Sequence, residues 1–313
     1  MRKARLKLKS QNCYYHLTSR ISGSPGDFPF EDIEKEKAFT IFEELSEFYF
    51  LEVISFCVMS NHVHITIFDP QANPSDEEII NHYEAYRSRK NKTSHPLSSE
   101  DITRLRLRLT DISSLMKDFK QSFTVWFNFQ HNRRGTLWGE RFHSSILEGE
   151  QSLWSCVKYG ELNPVRAGMV EDPADYRFCS WGRYKGTGKH PFEKNFLKHI
   201  RANAYEDYTD KSDEEVFAGF AGDLARILCT EGGKTEEETE EAVAKAGRKE
   251  SMPLLFLRRS RYWTDGAIIG SKAFVKRIAL KFDTPERVEK KRMGCGRDQL
   301  SGKKIHSYKL IRD

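Results

Sequence analysis

No stretch of this 313-residue chain approaches the ~18 uninterrupted apolar residues of a membrane-spanning helix. The start, Met1-Arg2-Lys3-Ala4-Arg5, is basic with no apolar run behind it, so a secretory signal is not expected. The six cysteines (Cys13, Cys57, Cys156, Cys179, Cys229 and Cys295) never fall in a C-x-x-C spacing. That argues against a zinc knuckle and suits reduced thiols in a cytosolic protein. Nor is there an obvious Asp/His set for a second metal, which disfavours a metal hydrolase. What the chain does have is 38% hydrophobic residues, including 21 Phe and 5 Trp that can fill a core. Charged residues reach 31%, so parts of it must be solvated faces or tails. The length allows two domains.

The net charge of +5 is uneven. Residues 201–250 hold 14 Asp/Glu against 7 Lys/Arg, a net of −7, which leaves +12 on the remainder. A basic body beside an acidic segment is compatible with a phosphate-rich partner, and equally with ordinary charge clustering.

Residues 11–22 are β-prone and end at the turn-rich Gly23-Ser24-Pro25-Gly26-Asp27. Residues 31–48 read as an amphipathic helix with Ile33, Ala38, Ile41, Phe42, Leu45 and Phe48 inward. Leu51–Met59 and His62–Phe68 read as strands joined tightly at Ser60-Asn61, an antiparallel hairpin. Residues 69–109 are a polar excursion, part helical, whose arginines either contact nucleic acid or face solvent. Asp111–Gln130 is the clearest helix: Ile112, Leu115, Met116, Phe119, Phe123, Trp126 and Phe127 keep a 3.6-residue period. Arg141–Glu148 returns as a strand, and Ser152–Asn163 is a helix stopped by Pro164. The order predicts an α+β fold, an antiparallel sheet covered by helices of the ferredoxin-like or RNA-recognition-like kind. The expected organisation is a main domain over residues 1–185, an acidic helical linker region over 186–250, and a small basic helical segment with a flexible tail over 251–313. Within the last, two short helices around the Gly-containing run Asp265–Ser271, the second running through Lys281 with Phe274, Val275 and Ile278 inward, resemble a helix-turn-helix or form a packing appendage.

Two elements carry chemistry. In Ser60-Asn61-His62-Val63-His64-Ile65, residues i and i+2 of a strand share a face, so two imidazoles emerge side by side. Each has a lone pair for a divalent metal, although the triplet alone also suits surface or hydrogen-bonded histidines. On the later helix, Leu153 and Val157 mark the buried stripe, and Tyr159 lies well around from it. Asn163 is at i+4 from Tyr159, so both project from one face.

His62-Val63-His64 on a strand with Tyr159 on a later helix resembles the single-tyrosine transposases of the HUH (His-hydrophobic-His) nuclease superfamily. The run Tyr159-x-x-x-Asn163-Pro164-Val165-Arg166-Ala167-Gly168 narrows the resemblance to the REP-associated tyrosine transposases, relatives of the smallest bacterial insertion-sequence transposases. So do Phe56–His64 and Gly135–Phe142, and more weakly Tyr262-x-x-Asp265-Gly266-x-x-x-Gly270-Ser271-x-x-Phe274. The resemblance covers roughly 8–185.

It implies a metal-dependent single-strand DNA transposase that nicks and rejoins hairpin-bearing DNA. Mg²⁺ or Mn²⁺ would be held by His62, His64 and Asn163, with Tyr159 as the nucleophile that becomes a 5′-phosphotyrosine. Some relatives have Gln where Asn163 stands. Arg141 and Arg166 can hold phosphates or serve as structural ion-pair residues, and the basic segment with Arg2, Lys3 and Arg5 is a candidate for backbone contacts. His143 and His16 are weaker candidates for metal ligands. The implied partner is single-stranded DNA, as palindromic hairpins, acted on by a monomer or homodimer in the bacterial cytoplasm, associated with the nucleoid. The rival expectation is a sequence-specific DNA-binding protein of the same fold that does not cleave.

Overall fold

The computed structural model describes residues 7–8, 11–23, 29–203, 208–231, 233, 235–245, 267–291, 293–297 and 304–309. In chain order the elements are β1 (Cys13–Arg20), α1 (Asp32–Phe48), β2 (Glu52–Val58), β3 (His62–Asp69), α2 (Asp76–Arg89), α3 (Ser99–Leu109), α4 (Ile112–Gln130), β4 (His143–Leu147) and α5 (Gln151–Arg166). They continue as α6 (Ser180–Thr187), α7 (Glu193–Asn203), α8 (Asp213–Glu231), α9 (Glu236–Lys245), β5 (Ala267–Gly270), α10 (Lys272–Ala279), α11 (Pro285–Lys290), β6 (Gly294–Arg297) and β7 (Lys304–Lys309). The class is α+β. One sheet runs in the order β2-β3-β1-β4-β5-β7-β6, antiparallel except where β5 lies parallel to β4.

Side chains alternate across the central strands and give the sheet two unlike faces. Tyr15 and Leu17 of β1, Val63, Ile65 and Ile67 of β3, and Phe56 of β2 are buried on one face. Phe56 stacks on Phe42 of α1 at 4.2 Å between centroids, and Phe119 of α4 meets it edge-on at 5.9 Å. Complete removal of such rings from water makes this layer the main source of stability. The other face carries Tyr14, His16, Thr18 and Arg20 of β1 with His62, His64, Thr66 and Phe68 of β3, and it is covered by α5 and α7.

The stripe of α4 is buried as the period predicts at Ile112, Leu115, Met116, Phe119, Phe123 and Phe127, whereas Trp126 is only half-buried. Helix α1 buries Phe39 and leaves Ile33 71% exposed, reversing the expectation for Ile33. Ile33 sits in the first turn, where Glu34 and Lys35 take the buried side instead, and Phe39 lies on the same stripe as Phe42. The 69–109 excursion consists of two capped helices, α2 and α3, whose caps are Ser75 and Ser98. Arginines of this region pair with carboxylates: Arg89 with Glu47, Arg104 with Asp101, Arg106 with Asp76 and Arg108 with Asp118.

Two further expectations are corrected. Pro164 does not end α5, which continues to Arg166. In the last turn a proline removes only one helical hydrogen bond, and the Ala167 N–H still reaches the Asn163 carbonyl at 3.0 Å. Beyond residue 266 the chain is not simply helical with a flexible tail: β5, β6 and β7 extend the sheet, and Ala267–Gly270 is a strand where the turn between two short helices was expected. Phe256–Gly266, the rest of that motif, lies outside the described residues, as do Arg2, Lys3 and Arg5. Helix α10 does bury Phe274, Val275 and Ile278, as its pattern predicts.

Candidate active site

The site is built where β3 and β1 meet α5. The hairpin at Ser60-Asn61, closed by the Met59 N–H donating to the His62 carbonyl at 2.8 Å, fixes the register that sends His62 and His64 to the polar face. Their ring centroids are 4.9 Å apart. Cross-strand, His62 stands opposite Arg20, His64 opposite Thr18, and Thr66 opposite His16. The His62 Nδ1 contacts the Asn61 Oδ1 at 2.7 Å, and the His64 Nδ1 contacts the His16 Nε2 at 3.1 Å. Neither His62 nor His64 has a hydrogen bond on its Nε2 among the described residues.

Because α5 runs through Pro164, Tyr159, Asn163 and Arg166 fall at i, i+4 and i+7 on one helical face. Tyr159 presents its ring edge-on to His64 at 5.7 Å and to His16 at 6.0 Å. The Arg166 guanidinium lies 5.3 Å from the Tyr159 ring centroid. Leu147, Cys156, Ile269 and Ile305 complete a small apolar cluster around Tyr159, so β5 and β7 from the C-terminal part help to wall the site. On the neighbouring face of α5, Trp154 Nε1 and Lys158 Nζ both donate to Asp223 Oδ2 of α8, at 2.6 and 3.1 Å, clamping the two helices together.

Burial governs the electrostatics. Tyr159 is 3% exposed, and desolvation pushes its phenol up to about 12; the Arg166 charge and the Asn163 amide pull in the opposite direction. His62 is lowered to about 4, mainly by burial and then by the Arg20 charge. His64 is held well below the usual histidine value by burial, then by His62, His16, Arg20 and Arg166. Both imidazoles are therefore neutral at pH 7, the state in which a ring nitrogen can bind a metal. Burial lowers Arg166 as well, opposed by Glu231 of α8, which lies 3.5 Å from its Nε. That approach is an ion pair and does not meet hydrogen-bond geometry: all three guanidinium nitrogens are buried without a hydrogen-bond partner, as is the Asn163 Nδ2.

Among the described residues no three His, Cys, Asp or Glu side chains are placed to hold a metal. Two imidazoles with free Nε2 positions, plus the amide of Asn163 beside Tyr159, nevertheless make a mixed nitrogen and oxygen donor set that suits Mn²⁺ or Mg²⁺. The structure thus brings together His62, His64, Tyr159, Asn163 and Arg166. Arg141 is exposed just ahead of β4. His143 is partly buried on β4 opposite Thr18, with its Nε2 3.7 Å from Glu140. Sequence reasoning undervalued His16 and missed Arg20. Both lie on the first predicted strand at the i, i+2, i+4 spacing that also contains Thr18, and that alternation was the available signal.

A mixed α+β protein with a paired-histidine strand facing a helical tyrosine is the class that fold and site define. Residues 9–104 match the family model described as Transposase IS200 like, a span that contains His62 and His64 and ends before Tyr159. Over that segment the chain is similar to IS200-like transposases. It is also similar to a solved structure described as "Structure of the REP associates tyrosine transposase bound to a REP hairpin", at 15% identity and a TM-score of 0.40, over 61% of this chain and 89% of that one. No curated protein matches the chain. No helix among the described residues is long and apolar enough to cross a membrane.

Proposed function

We propose that this protein is a metal-dependent transposase that cuts and rejoins single-stranded, hairpin-bearing DNA through Tyr159. The observation that carries the reading is the packing of Tyr159 against His64, at 5.7 Å, beneath an Arg166 guanidinium with no hydrogen bonds of its own. A buried, unpaired guanidinium is costly unless an anion completes it, and the two anionic non-bridging oxygens of a DNA phosphate can accept its N–H groups.

In this reading the Tyr159 Oη attacks the scissile phosphorus in line. The new O–P bond forms as the bond to the 3′ oxygen breaks, giving a 5′-phosphotyrosine and a 3′-hydroxyl. At neutral pH the phenol is protonated, so its proton leaves during the attack, and the departing 3′ oxygen gains one. Arg166 holds a non-bridging phosphate oxygen and favours the phenolate. His62, His64 and Asn163 would hold Mg²⁺ or Mn²⁺, which when bound supplies Lewis-acid polarisation of the phosphate. Because the phosphotyrosine conserves the phosphodiester, attack by a new 3′-hydroxyl reverses the step and joins strands. With Tyr159 97% covered, substrate binding must open the α5 side of the sheet before attack.

The test is incubation with end-labelled single-stranded hairpin DNA and Mn²⁺, followed by denaturing electrophoresis. Wild type is expected to give a covalent protein–DNA band and a nick, both absent in Tyr159→Phe. A wild type that yields neither on palindromic substrates, or a Tyr159→Phe variant that cuts equally well, removes this reading.

A further inference from the structure

His16 of β1 touches both halves of the proposed centre without belonging to either. It is 1% exposed, and its ring lies nearly parallel to that of His64, at 6° and 5.2 Å between centroids. Its Nε2 is 3.1 Å from the His64 Nδ1, and its ring meets Tyr159 edge-on at 89°. A buried histidine on a catalytic face can be a ligand, a base or a support. No group of three metal-ligating acids, thiols or imidazoles forms here among the described residues, and the His16 Nε2 is turned to another imidazole, so the contact itself points to support.

A neutral imidazole carries one proton on one of its two nitrogens, and a hydrogen bond to one nitrogen decides which of them keeps a free lone pair. For His62 the arrangement is determined by chemistry: an amide oxygen accepts only, so its Nδ1 donates to the Asn61 Oδ1 and leaves the Nε2 lone pair open. For His64 the same result requires the His16 Nε2 to be the acceptor. We propose that His16 is a positioning residue: it accepts a hydrogen bond from the His64 Nδ1–H, fixing the tautomer and ring plane that leave the His64 Nε2 open to a divalent cation. Asn61 and His16 then act as a pair, one acceptor behind each imidazole. The inference rests on the metal reading of His62 and His64 and adds the support that reading needs, since partners of this kind are worth about 10- to 100-fold in metal affinity.

Two measurements test it on the full chain. Long-range ¹H–¹⁵N correlation spectra of histidine-labelled, metal-free protein report the tautomer directly, with the His64 signals identified by their loss in His64→Gln. The expected result is the Nδ1–H form for His64 in wild type and a shift toward Nε2–H in His16→Leu. A wild-type His64 in the Nε2–H form overturns the proposal whatever the protein cuts, and it does so even if His16→Leu fails to fold. Calorimetric titration with Mn²⁺ then separates the two claims. If wild type binds no Mn²⁺, the metal reading itself is wrong. If wild type binds and folded His16→Leu binds equally well, the positioning role is wrong. The expected order is wild type, then His16→Gln, which keeps an acceptor and retains most of the affinity, then His16→Leu, weaker by about 10- to 100-fold.

Discussion

On β1 and β3, residues one position apart enter opposite environments. Leu17, Val63, Ile65 and Ile67 are fully buried against the aromatic rings of α1 and α4, whereas His16, His64 and Thr66 are within 3% of full burial against α5. The first face can tolerate any tightly packed apolar set, because dispersion and water exclusion are non-directional. The second has to satisfy each polar group, because an unpaired one costs free energy when buried. It does so for His16, His62 and His64 through directed contacts, and it fails to do so for Arg166. One face therefore stabilises the fold, and the other carries the proposed chemistry at some cost to stability.

The largest expected effect would separate the faces outright. Tyr159→Phe removes one hydroxyl from the polar face, and covalent adduct should fall by roughly 10³-fold or more because the nucleophile is gone. Its denaturation midpoint should stay close to wild type. Phe119→Ala on the apolar face should do the reverse: about 3–5 kcal/mol less stability by denaturant titration, with adduct formation per folded molecule preserved. If Phe119→Ala abolishes chemistry while it is still folded, the faces are not separable in this way.

Acid should sharpen the comparison next. The folded-state value is about 4 for His62 and about 3 for His190, both depressed by burial, against an ordinary value near 6.5. Between those limits the unfolded chain binds protons that the folded chain refuses, so stability rises with pH there. The contribution is intact above pH ~6.5 and is lost progressively as pH falls toward about 4 and then 3. A thermal midpoint at pH 5 should lie several degrees below that at pH 7. His190 packs among Tyr184, Phe196 and Phe217 away from the site, so His190→Leu should flatten part of the slope and leave the remainder to the polar face. A midpoint that does not change between pH 7 and pH 5 would show that the histidines are not buried neutral.

How much of this was legible before folding differs between the faces for a physical reason. The helix of Phe119 could be read because one apolar stripe of constant period is local information. The polar face depends on register between strands far apart in sequence, so His62 and His64 were visible as a pair but His16, Thr18 and Arg20 became neighbours only once β1 lay beside β3. Ile269 and Ile305 reach the Tyr159 cluster through β5 and β7, and β5 finds its partner β4 more than 100 residues upstream, a pairing that local pattern cannot encode. Arg166 joined the site only because α5 tolerates Pro164, against the local rule that reads proline as a stop.

The smallest effect concerns the one place where the polar face is left incomplete. Glu231, at the end of α8, approaches the Arg166 Nε at 3.5 Å without a hydrogen bond, so it neutralises the charge but does not occupy the donors. A phosphate oxygen placed there would gain charge-assisted hydrogen bonds worth ~1.5–3 kcal/mol and would have to displace that carboxylate. Glu231→Gln removes the competing charge and should therefore tighten single-stranded DNA binding by a few-fold in fluorescence anisotropy. Arg166→Ala should weaken it by about 10-fold, because it loses the phosphate contact and not merely the competition. In Arg166→Ala, adding Glu231→Gln should change nothing more, since the carboxylate then has no guanidinium to contest. If the Glu231 substitution tightens binding equally with and without Arg166, its effect is general electrostatics, and the guanidinium over Tyr159 is not where DNA and protein compete.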